Sequence, residues 1–321
     1  MSNNVINIVL TCDDRYVQHA AVTIISVVKN TKRNVHFYVF DCGILPENLE
    51  RLKQLNVGSN VLEIIQVQKI EAFENREYHN GYSPAIMYRL LIPKILPHLD
   101  KALYLDSDII AVRDIGLVYD LDLGDKLLAG EPEVQPFGLF RSPSDYDGFK
   151  KYIHIASGFL LMNLGKMREW NFCEKAIEVV KNAPSFTCPD QEVIYLVLRE
   201  EHIVVVFITF FLWREALGII RKRFYHYCFL CHLCTKPWIV PPPLLHYLPV
   251  RTFDVAYKYY LYLEMTPFRE FRYRYVSFLG SFRTILAISL VSAGTFISDL
   301  GCEFFRGCLR KLLKTQKNVL K

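Results

Sequence analysis

The chain has 321 residues, of which 51% are hydrophobic and 22% charged, so it can bury a sizeable core and is not intrinsically disordered. Its net charge of +5 is uneven: residues 241–321 hold twelve Lys/Arg and five Asp/Glu, a net of +7, which leaves residues 1–240 at −2. Because residues 1–240 are slightly acidic, nucleic acid is a disfavoured partner for that part of the chain. The first residues lack a basic region and a cleavage site, so we expect a cytoplasmic protein without structural disulfides.

Apolar strand-like runs alternate with helix-like segments over the first 105 residues. This order predicts a parallel sheet covered by helices on both faces. Such sheets bind ligands beyond the carboxyl ends of their strands, which draws attention to the polar residues that follow 6–11 and 102–105. The predicted strands are 6–11, 35–40, 61–67 and 102–105, and the predicted helices are 16–29, one that begins at Pro46, and 85–96.

A second block begins near residue 157. It contains a buried strand at 157–164, a helix at 166–182 and another helix behind Pro189. The uncharged run 203–213 is too short to cross a bilayer as a helix, so we interpret it as core.

Residues 241–321 have a different composition, with aromatic residues among arginines, an uncharged stretch at 284–298 and a basic end. Two interpretations stay open. The segment is either a helical subdomain packed on the core or a peripheral membrane segment that lies on anionic lipid without spanning it.

Nine cysteines include a CxxCxxC run formed by Cys228, Cys231 and Cys234. This run could belong to a zinc or iron–sulfur site. Because no second cysteine pair stands at a suitable distance, packing thiols are the favoured interpretation.

Asp106 and Asp108 follow the predicted strand 102–105. In an extended segment, side chains two residues apart point the same way, so both carboxylates could bind one cation. Oxygen ligands select a hard ion such as Mg²⁺ or Mn²⁺, which commonly joins protein carboxylates to substrate phosphates. A solvated turn is the competing interpretation.

Six motifs stand in order along the chain: INIVLTCDDRY, MYRLLIPKIL, LYLDSDII, SGFLLMNL with Trp170 after it, DQEVIY and HLCTKPW. Together they resemble the family 8 retaining glycosyltransferases, which include bacterial lipopolysaccharide α-galactosyl- and α-glucosyltransferases and glycogenin. The resemblance runs from about residue 7 to residue 238. It implies a GT-A-type, Rossmann-like mixed sheet flanked by helices in residues 1–240, followed by a helical, basic and aromatic segment in 241–321.

The resemblance also implies a cation site. Asp106, Asp108 and His232 correspond to the protein ligands of Mn²⁺, with Mg²⁺ as the substitute cation. Ser107 belongs to the nucleotide-binding set, and Lys236 corresponds to the lysine that pairs with the diphosphate.

The nucleotide is expected at the end of the first strand. Thr11 and Asp13 resemble the residues that hold the uracil and ribose of a UDP-sugar, and Tyr16 resembles the aromatic residue that stacks on the base. For Tyr16, a packing role on a helix face is the alternative.

The sugar end is expected near the last helix of the second block. Arg89 resembles a donor-sugar contact that could also pair with the Asp106 region or with Asp190. Asp190 resembles the acid that binds sugar hydroxyls, and Gln191 resembles the amide beside the anomeric carbon; for Gln191, a structural place at the helix start is the alternative.

Several positions depart from the family pattern, and they concern the sugar and the acceptor more than the nucleotide. The apolar segment 203–227 replaces a polar loop. The substituted positions are Arg15, Glu133, Ala156, Glu192 and Tyr195.

The sequence predicts a retaining hexosyltransferase that uses UDP-galactose or UDP-glucose and Mn²⁺. The expected acceptor is lipopolysaccharide or another cell-surface glycan, reached from the cytoplasmic face of the membrane. The alternatives are a weak or inactive UDP-sugar-binding member of the fold and another metal-dependent nucleotide-sugar enzyme, such as a nucleotidyltransferase.

Overall fold

The computed structural model describes residues 5–78, 82–132, 155–183, 185–186, 188–198, 202–205, 209–211, 230–232 and 250–273. Within them a seven-stranded sheet is flanked by helices, and a small three-stranded sheet lies beside it. The strands are β1 (Ile6–Cys12), β2 (Val35–Asp41), β3 (Val61–Gln66), β4 (Lys101–Leu105), β5 (Ile109–Ala111), β6 (Leu128–Pro132), β7 (Ile155–Asn163), β8 (Ile203–Val205), β9 (Thr209–Phe211) and β10 (Leu230–His232). The α-helices are α1 (Val17–Asn30), α2 (Pro46–Lys53), α3 (Glu71–Glu74), α4 (Ile92–Ile95), α5 (Gly116–Tyr119), α6 (Leu164–Glu169), α7 (Phe172–Asn182), α8 (Pro189–Val197) and α9 (Val250–Leu263), with 3₁₀ helices at Pro84–Leu91 and Arg269–Tyr273.

The large sheet has the order β3-β2-β1-β4-β7-β6-β8. Its first four strands are parallel, which confirms the prediction from the alternating pattern. β7 runs antiparallel to both β4 and β6, so the sheet as a whole is mixed. The reversal brings the start of β7 next to the end of β4, where the Asp106 motif follows.

Alternate residues of β1 pack on opposite sides of the sheet, as expected for a strand with both faces buried. Ile8 and Leu10 pack in the cluster that contains α1, and Val9 packs in the cluster that contains the first 3₁₀ helix. All three side chains are fully buried. The end of β1 is thereby fixed between two cores.

Two predicted helices are divided. Residues 84–95 form a 3₁₀ helix and then α4, which begins anew at Ile92 because Pro93, in its first turn, has no N–H to donate to the turn before it. Residues 164–182 form α6 and α7, separated at Asn171, whose φ of 55° is left-handed. Asparagine tolerates that conformation better than most residues.

α9 packs on α1 and belongs to the same core. Tyr259, Leu263 and Phe268 are almost completely buried in the cluster that contains α1. For residues 250–273 the structure thus shows packing on the sheet domain. The boundary at residue 240 stays a prediction, and residues 274–321 lie outside the described residues. In the part of the chain that the structure describes, no helix is long and apolar enough to cross a bilayer.

Candidate active site

A cavity of about 380 Å³ lies beyond the carboxyl ends of β1 and β4, with the starts of β7 and α8 on its other side. All the predicted site residues whose side chains are described line this one cavity. They are Thr11, Asp13, Tyr16, Arg89, Asp106, Ser107, Asp108, Asp190 and Gln191. Motifs separated by up to 180 positions in the sequence thus meet at one place.

The segment Asp106-Ser107-Asp108 forms a tight turn between β4 and β5. The extended geometry assumed from the sequence is therefore wrong, although both carboxylates still line the cavity. The turn is closed by Ile109 N–H, which donates to the Asp106 carbonyl at 3.2 Å. Ser107 Oγ donates to the Thr11 carbonyl at 3.2 Å, which ties the turn to the end of β1.

Arg89 places a positive charge between two acids. Its Nη2 lies 2.8 Å from Asp106 Oδ1, and its Nη1 lies 2.9 Å from Asp190 Oδ2. Nη1 also donates to the Ser157 carbonyl at 2.7 Å, and the residue is 3% exposed. Burial alone would lower the pKa of the guanidinium, but Asp106 and Asp190 outweigh burial and raise it. Arg89 therefore stays charged and joins the wall at β4 to the wall at α8.

Tyr104 occupies the floor of the cavity. Its hydroxyl donates to Asp106 Oδ1 at 2.8 Å and lies 3.1 Å from Thr11 Oγ1. The Arg89 guanidinium stacks 4.4 Å from the centre of the Tyr104 ring. Burial raises the pKa of the phenol well above its usual value, so the group remains a neutral donor.

Gly158 makes room for the Asp106 carboxylate. Its carbonyl accepts from Asp106 N–H at 2.9 Å, and a Cβ at this position would lie 2.8 Å from Asp106 Oδ2. Any larger residue would displace the carboxylate. Only glycine therefore allows β7 to approach the turn so closely.

On the nucleotide side, Asp13 is paired with Arg15. Its two oxygens accept from the backbone N–H and the guanidinium of Arg15 at 3.1–3.2 Å. The Arg15 side chain is 57% exposed, so this pair is accessible to solvent. Tyr16 stands at the N-cap of α1 with its ring edge-on to His19, 5.3 Å between ring centres.

The first turn of α8 carries Asp190 and Gln191. Pro189 begins the helix, which suits proline because it has no N–H to donate, and the helix N-terminus favours the negative charge of Asp190. Glu192 Oε1 accepts from Cys188 N–H at 2.8 Å. The substitution at Glu192 thus has a structural role, because it holds the start of the helix that presents the two site residues.

The donor set suits a hard cation, since Asp106 and Asp108 place carboxylates in the same cavity. Among the described side chains, no group of three or more His, Cys, Asp or Glu is arranged to hold a metal. For His232 only the backbone is described: β10 pairs with β5 so that His232 is opposite Ile109, the residue after Asp108. Lys236, Glu133 and Cys228 lie outside the described residues, as does Cys234.

Some cavity residues were not found from the sequence. Tyr104 stands two positions before Asp106, so the alternation of β4 could have placed it on the same side. Tyr82 and Cys188 carry no comparable signal. Desolvation and the nearby Cys188 and Asp190 raise the pKa of the Tyr82 phenol. Cys188 forms no disulfide with the other cysteines whose side chains are described.

Residues 7–239 match the model of glycosyl transferase family 8. General stress protein A of Bacillus subtilis is 24% identical over 207 residues, which cover 62% of this chain and 71% of that protein. Lipopolysaccharide 1,2-glucosyltransferase of Escherichia coli is 26% identical over 203 residues, 60% of this chain and 58% of that protein. The match thus spans little more than half of the glucosyltransferase.

The fold resembles the crystal structure of the galactosyltransferase LgtC in complex with donor and acceptor sugar analogues. The TM-score is 0.61 and the identity 21%, and the match covers 81% of this chain and 96% of that chain. This likeness confirms the predicted GT-A-like mixed sheet. The family match extends over most of the chain, and it confirms the resemblance seen in the motifs: the protein belongs to glycosyl transferase family 8.

Proposed function

We propose that this protein is a retaining hexosyltransferase that transfers galactose or glucose from a UDP-sugar to a glycan, with Mn²⁺ as its cation and Mg²⁺ as the substitute. The observation that carries the proposal is that one cavity gathers three kinds of chemistry. A hydroxyl, a carboxylate and an aromatic ring lie at or just after the end of β1, two carboxylates follow β4, and an acid and an amide lie in the first turn of α8. A nucleoside, a diphosphate and a sugar require these groups in this order.

Thr11, Asp13 and Tyr16 would hold the nucleoside. Asp13 would accept from ribose or base in place of Arg15, whose side chain is 57% exposed and can be hydrated once it leaves Asp13. Tyr16 would stack on the base from its position at the start of α1. Ser107 fixes the turn against β1 and so holds the two halves of the nucleotide site together.

Asp106, Asp108 and His232 would hold the cation, and Lys236 would pair with the diphosphate. When bound, the cation would neutralise charge on the departing diphosphate. The contribution of the chain is to orient Asp106, which Arg89 and Tyr104 bind through the same oxygen, Oδ1.

Asp190 would accept from the sugar hydroxyls, with Arg89 fixing its carboxylate. Gln191 would lie beside the anomeric carbon. An amide is a poor nucleophile, so we favour a route in which Gln191 stabilises positive charge at that carbon. The departing phosphate then takes the proton of the acceptor hydroxyl on the same face, and the configuration is retained.

The acceptor assignment is supported by the relatives. One of them is a lipopolysaccharide glucosyltransferase, and we infer lipopolysaccharide or another cell-surface glycan as the acceptor. Residues 274–321 contain eight Lys/Arg and two Asp/Glu, a charge that suits peripheral contact with the anionic cytoplasmic face of a membrane.

The proposal is tested by titrating the protein with UDP-galactose and UDP-glucose, with and without Mn²⁺, while UDP release and binding are both followed. Asp108→Asn keeps the shape of the side chain and should abolish metal-dependent binding and UDP release. Asp125→Asn is the matched control, because Asp125 is 98% exposed and outside the cavity.

Metal-independent release at the same rate in Asp108→Asn would refute the assignment. Metal-dependent binding of UDP without release or transfer would favour the inactive binding protein, and release of pyrophosphate would favour a nucleotidyltransferase.

A further inference from the structure

Tyr104 connects two parts of the cavity that belong to different strands. Its hydroxyl lies 3.1 Å from Thr11 Oγ1 at the end of β1 and 2.8 Å from Asp106 Oδ1 after β4. The side chain is 1% exposed. Thr11 contacts the proposed nucleoside region, and Asp106 is a proposed cation ligand, so the phenol lies between two ligand sites.

The direction of these hydrogen bonds follows from the number of protons. A carboxylate only accepts, so the single hydroxyl proton of Tyr104 is donated to Asp106. The remaining contact requires Thr11 to donate its own proton to Tyr104. The chain of donors therefore runs from Thr11 through Tyr104 to Asp106 and has one orientation.

The same contact restricts the rotation of Asp106. Tyr104 and Arg89 both bind Oδ1, from two different elements. Within the described part of the chain, the hydrogen bonds to this carboxylate all end on Oδ1, and Oδ2 lies against the open side of Gly158. The plane of the carboxylate is thereby fixed before any ligand arrives.

We propose that Tyr104 is a positioning residue that links Thr11 to Asp106 and holds Asp106 with Oδ2 directed to the cation. This inference rests on the proposed function, because it presupposes that Asp106 binds a cation and that UDP occupies the cavity. Groups that orient a metal ligand contribute to affinity by preorganising it, and their loss commonly weakens binding by about 10–100-fold.

A purely structural role is the competing explanation, since a buried phenol needs a hydrogen-bond partner in any protein. Tyr119 offers a matched comparison. It is 7% exposed, its hydroxyl donates to the Lys101 carbonyl at 3.1 Å, and it does not line the cavity. Removing either hydroxyl disturbs a buried hydrogen bond, but only Tyr104 contacts Asp106.

The test compares Tyr104→Phe, Tyr119→Phe and the wild-type protein by calorimetric titration with UDP. Two quantities are measured: the Mn²⁺ concentration that gives half-maximal UDP binding, and the Kd for UDP at saturating Mn²⁺. We expect Tyr104→Phe to raise the first by about tenfold and the second by less than about threefold. Tyr119→Phe should leave both unchanged.

Thr11 supplies a second test that leaves the phenol in place. Thr11→Val should raise the Mn²⁺ requirement by about threefold, and Thr11→Ser, which retains the hydroxyl, should restore it. The variant with both Thr11→Val and Tyr104→Phe should need no more Mn²⁺ for half-maximal UDP binding than Tyr104→Phe alone, since Thr11 reaches Asp106 through Tyr104. Only the Mn²⁺ requirement is decisive for this variant, because Thr11→Val also removes a proposed nucleoside contact and raises the Kd for UDP. The Thr11 pair decides the matter if Tyr104→Phe fails to fold.

The outcomes separate the two proposals. If the wild-type protein binds UDP without any Mn²⁺ dependence, the proposed function fails. If UDP binding by the wild type depends on Mn²⁺, three results with Tyr104→Phe would refute only the positioning role. The variant could behave as the wild type, or its Mn²⁺ requirement and its Kd for UDP could rise by the same factor. Its effect on the Mn²⁺ requirement could also add fully to that of Thr11→Val. Equal behaviour of Thr11→Val and Thr11→Ser also refutes the positioning role.

Discussion

Arg89 is a buried positive charge between Asp106 and Asp190, and the three groups depend on one another. A buried ion pair is costly to form, but removing one partner is costlier, because it leaves a charge without compensation in a poorly solvated place. Arg89 pairs with two acids, so its loss would leave two carboxylates without a compensating positive charge.

We therefore predict that Arg89→Met lowers the free energy of unfolding by about 3–5 kcal/mol, measured by urea denaturation. Adding Asp190→Asn should restore part of that loss, since it removes one of the uncompensated charges. Arg113→Met is the control, because this exposed arginine should contribute less than about 0.5 kcal/mol. A loss as small as the control's would contradict the assigned role of Arg89.

At this scale the sequence indicated the acids and their partner Arg89, but it did not indicate Tyr104. Asp106 and Asp108 were predicted because they follow a strand at the edge where parallel sheets bind ligands, and Asp190 because its motif resembles that of the family. The link through Tyr104 was not predicted, because it depends on the distance between β1 and β4 and on the rotamer of a core tyrosine. The spacing of residues in the sequence determines neither this distance nor this rotamer.

At the scale of elements, α9 and the 3₁₀ helix after it are attached by a small number of side chains. Phe268 is fully buried, and the Arg51 guanidinium lies 4.5 Å from the centre of its ring. Arg51 also contacts the Pro267 carbonyl and the Glu270 carboxylate. Between α1 and α9, His19 Nδ1 lies 2.7 Å from the Tyr259 hydroxyl.

Truncating Phe268 should accordingly destabilise the whole domain. We expect Phe268→Ala to lower the free energy of unfolding by about 3–5 kcal/mol, because it leaves a cavity in a core that includes α1. The matched control is Met265→Ala, a substitution three residues earlier at a side chain that is 48% exposed. If both variants unfold at the same urea concentration, the segment is not part of the cooperative core.

The sequence predicted the first four strands and could not predict the direction of β7. A run of buried apolar residues indicates a strand but carries no information on the direction in which it pairs. Likewise, helical spacing at 85–96 and 166–182 was outweighed by Pro93 and by the left-handed Asn171. Local geometry overrode the periodic signal in both places.

At the scale of the whole molecule, membrane contact by the C-terminal region can be tested with two truncations, and the packing of α9 decides which of them is informative. A truncation after residue 243 would remove α9 and expose core, so its failure to bind membranes would mean little. A truncation after Tyr273 keeps every described residue.

We predict that the chain ending at Tyr273 unfolds at the same temperature as the full protein but no longer sediments with vesicles containing phosphatidylserine. The reason is the loss of a net charge of +6 in residues 274–321, where each basic residue near an anionic surface contributes about 1 kcal/mol. Neutral phosphatidylcholine vesicles are the control. If the shorter chain sediments with the vesicles as well as the full protein does, residues 274–321 are not the membrane segment, and the packed-subdomain interpretation remains for them.

The position of β7 also sets the order in which the protein can be assembled. β1 to β4 come from the first 105 residues and are neighbours in the sheet. The other edge of β4 pairs with β7, where Leu105 is opposite Phe159, so this pairing forms only after β7 has been synthesised. At a synthesis rate of about 5–20 residues per second, β1 to β4 exist for roughly 3–10 s before β7 has been made. During that interval Arg89 lacks the Ser157 carbonyl, and Asp106 lacks the Gly158 carbonyl. The Asp106 turn therefore acquires its support from β7 only after β1 to β4 have been made.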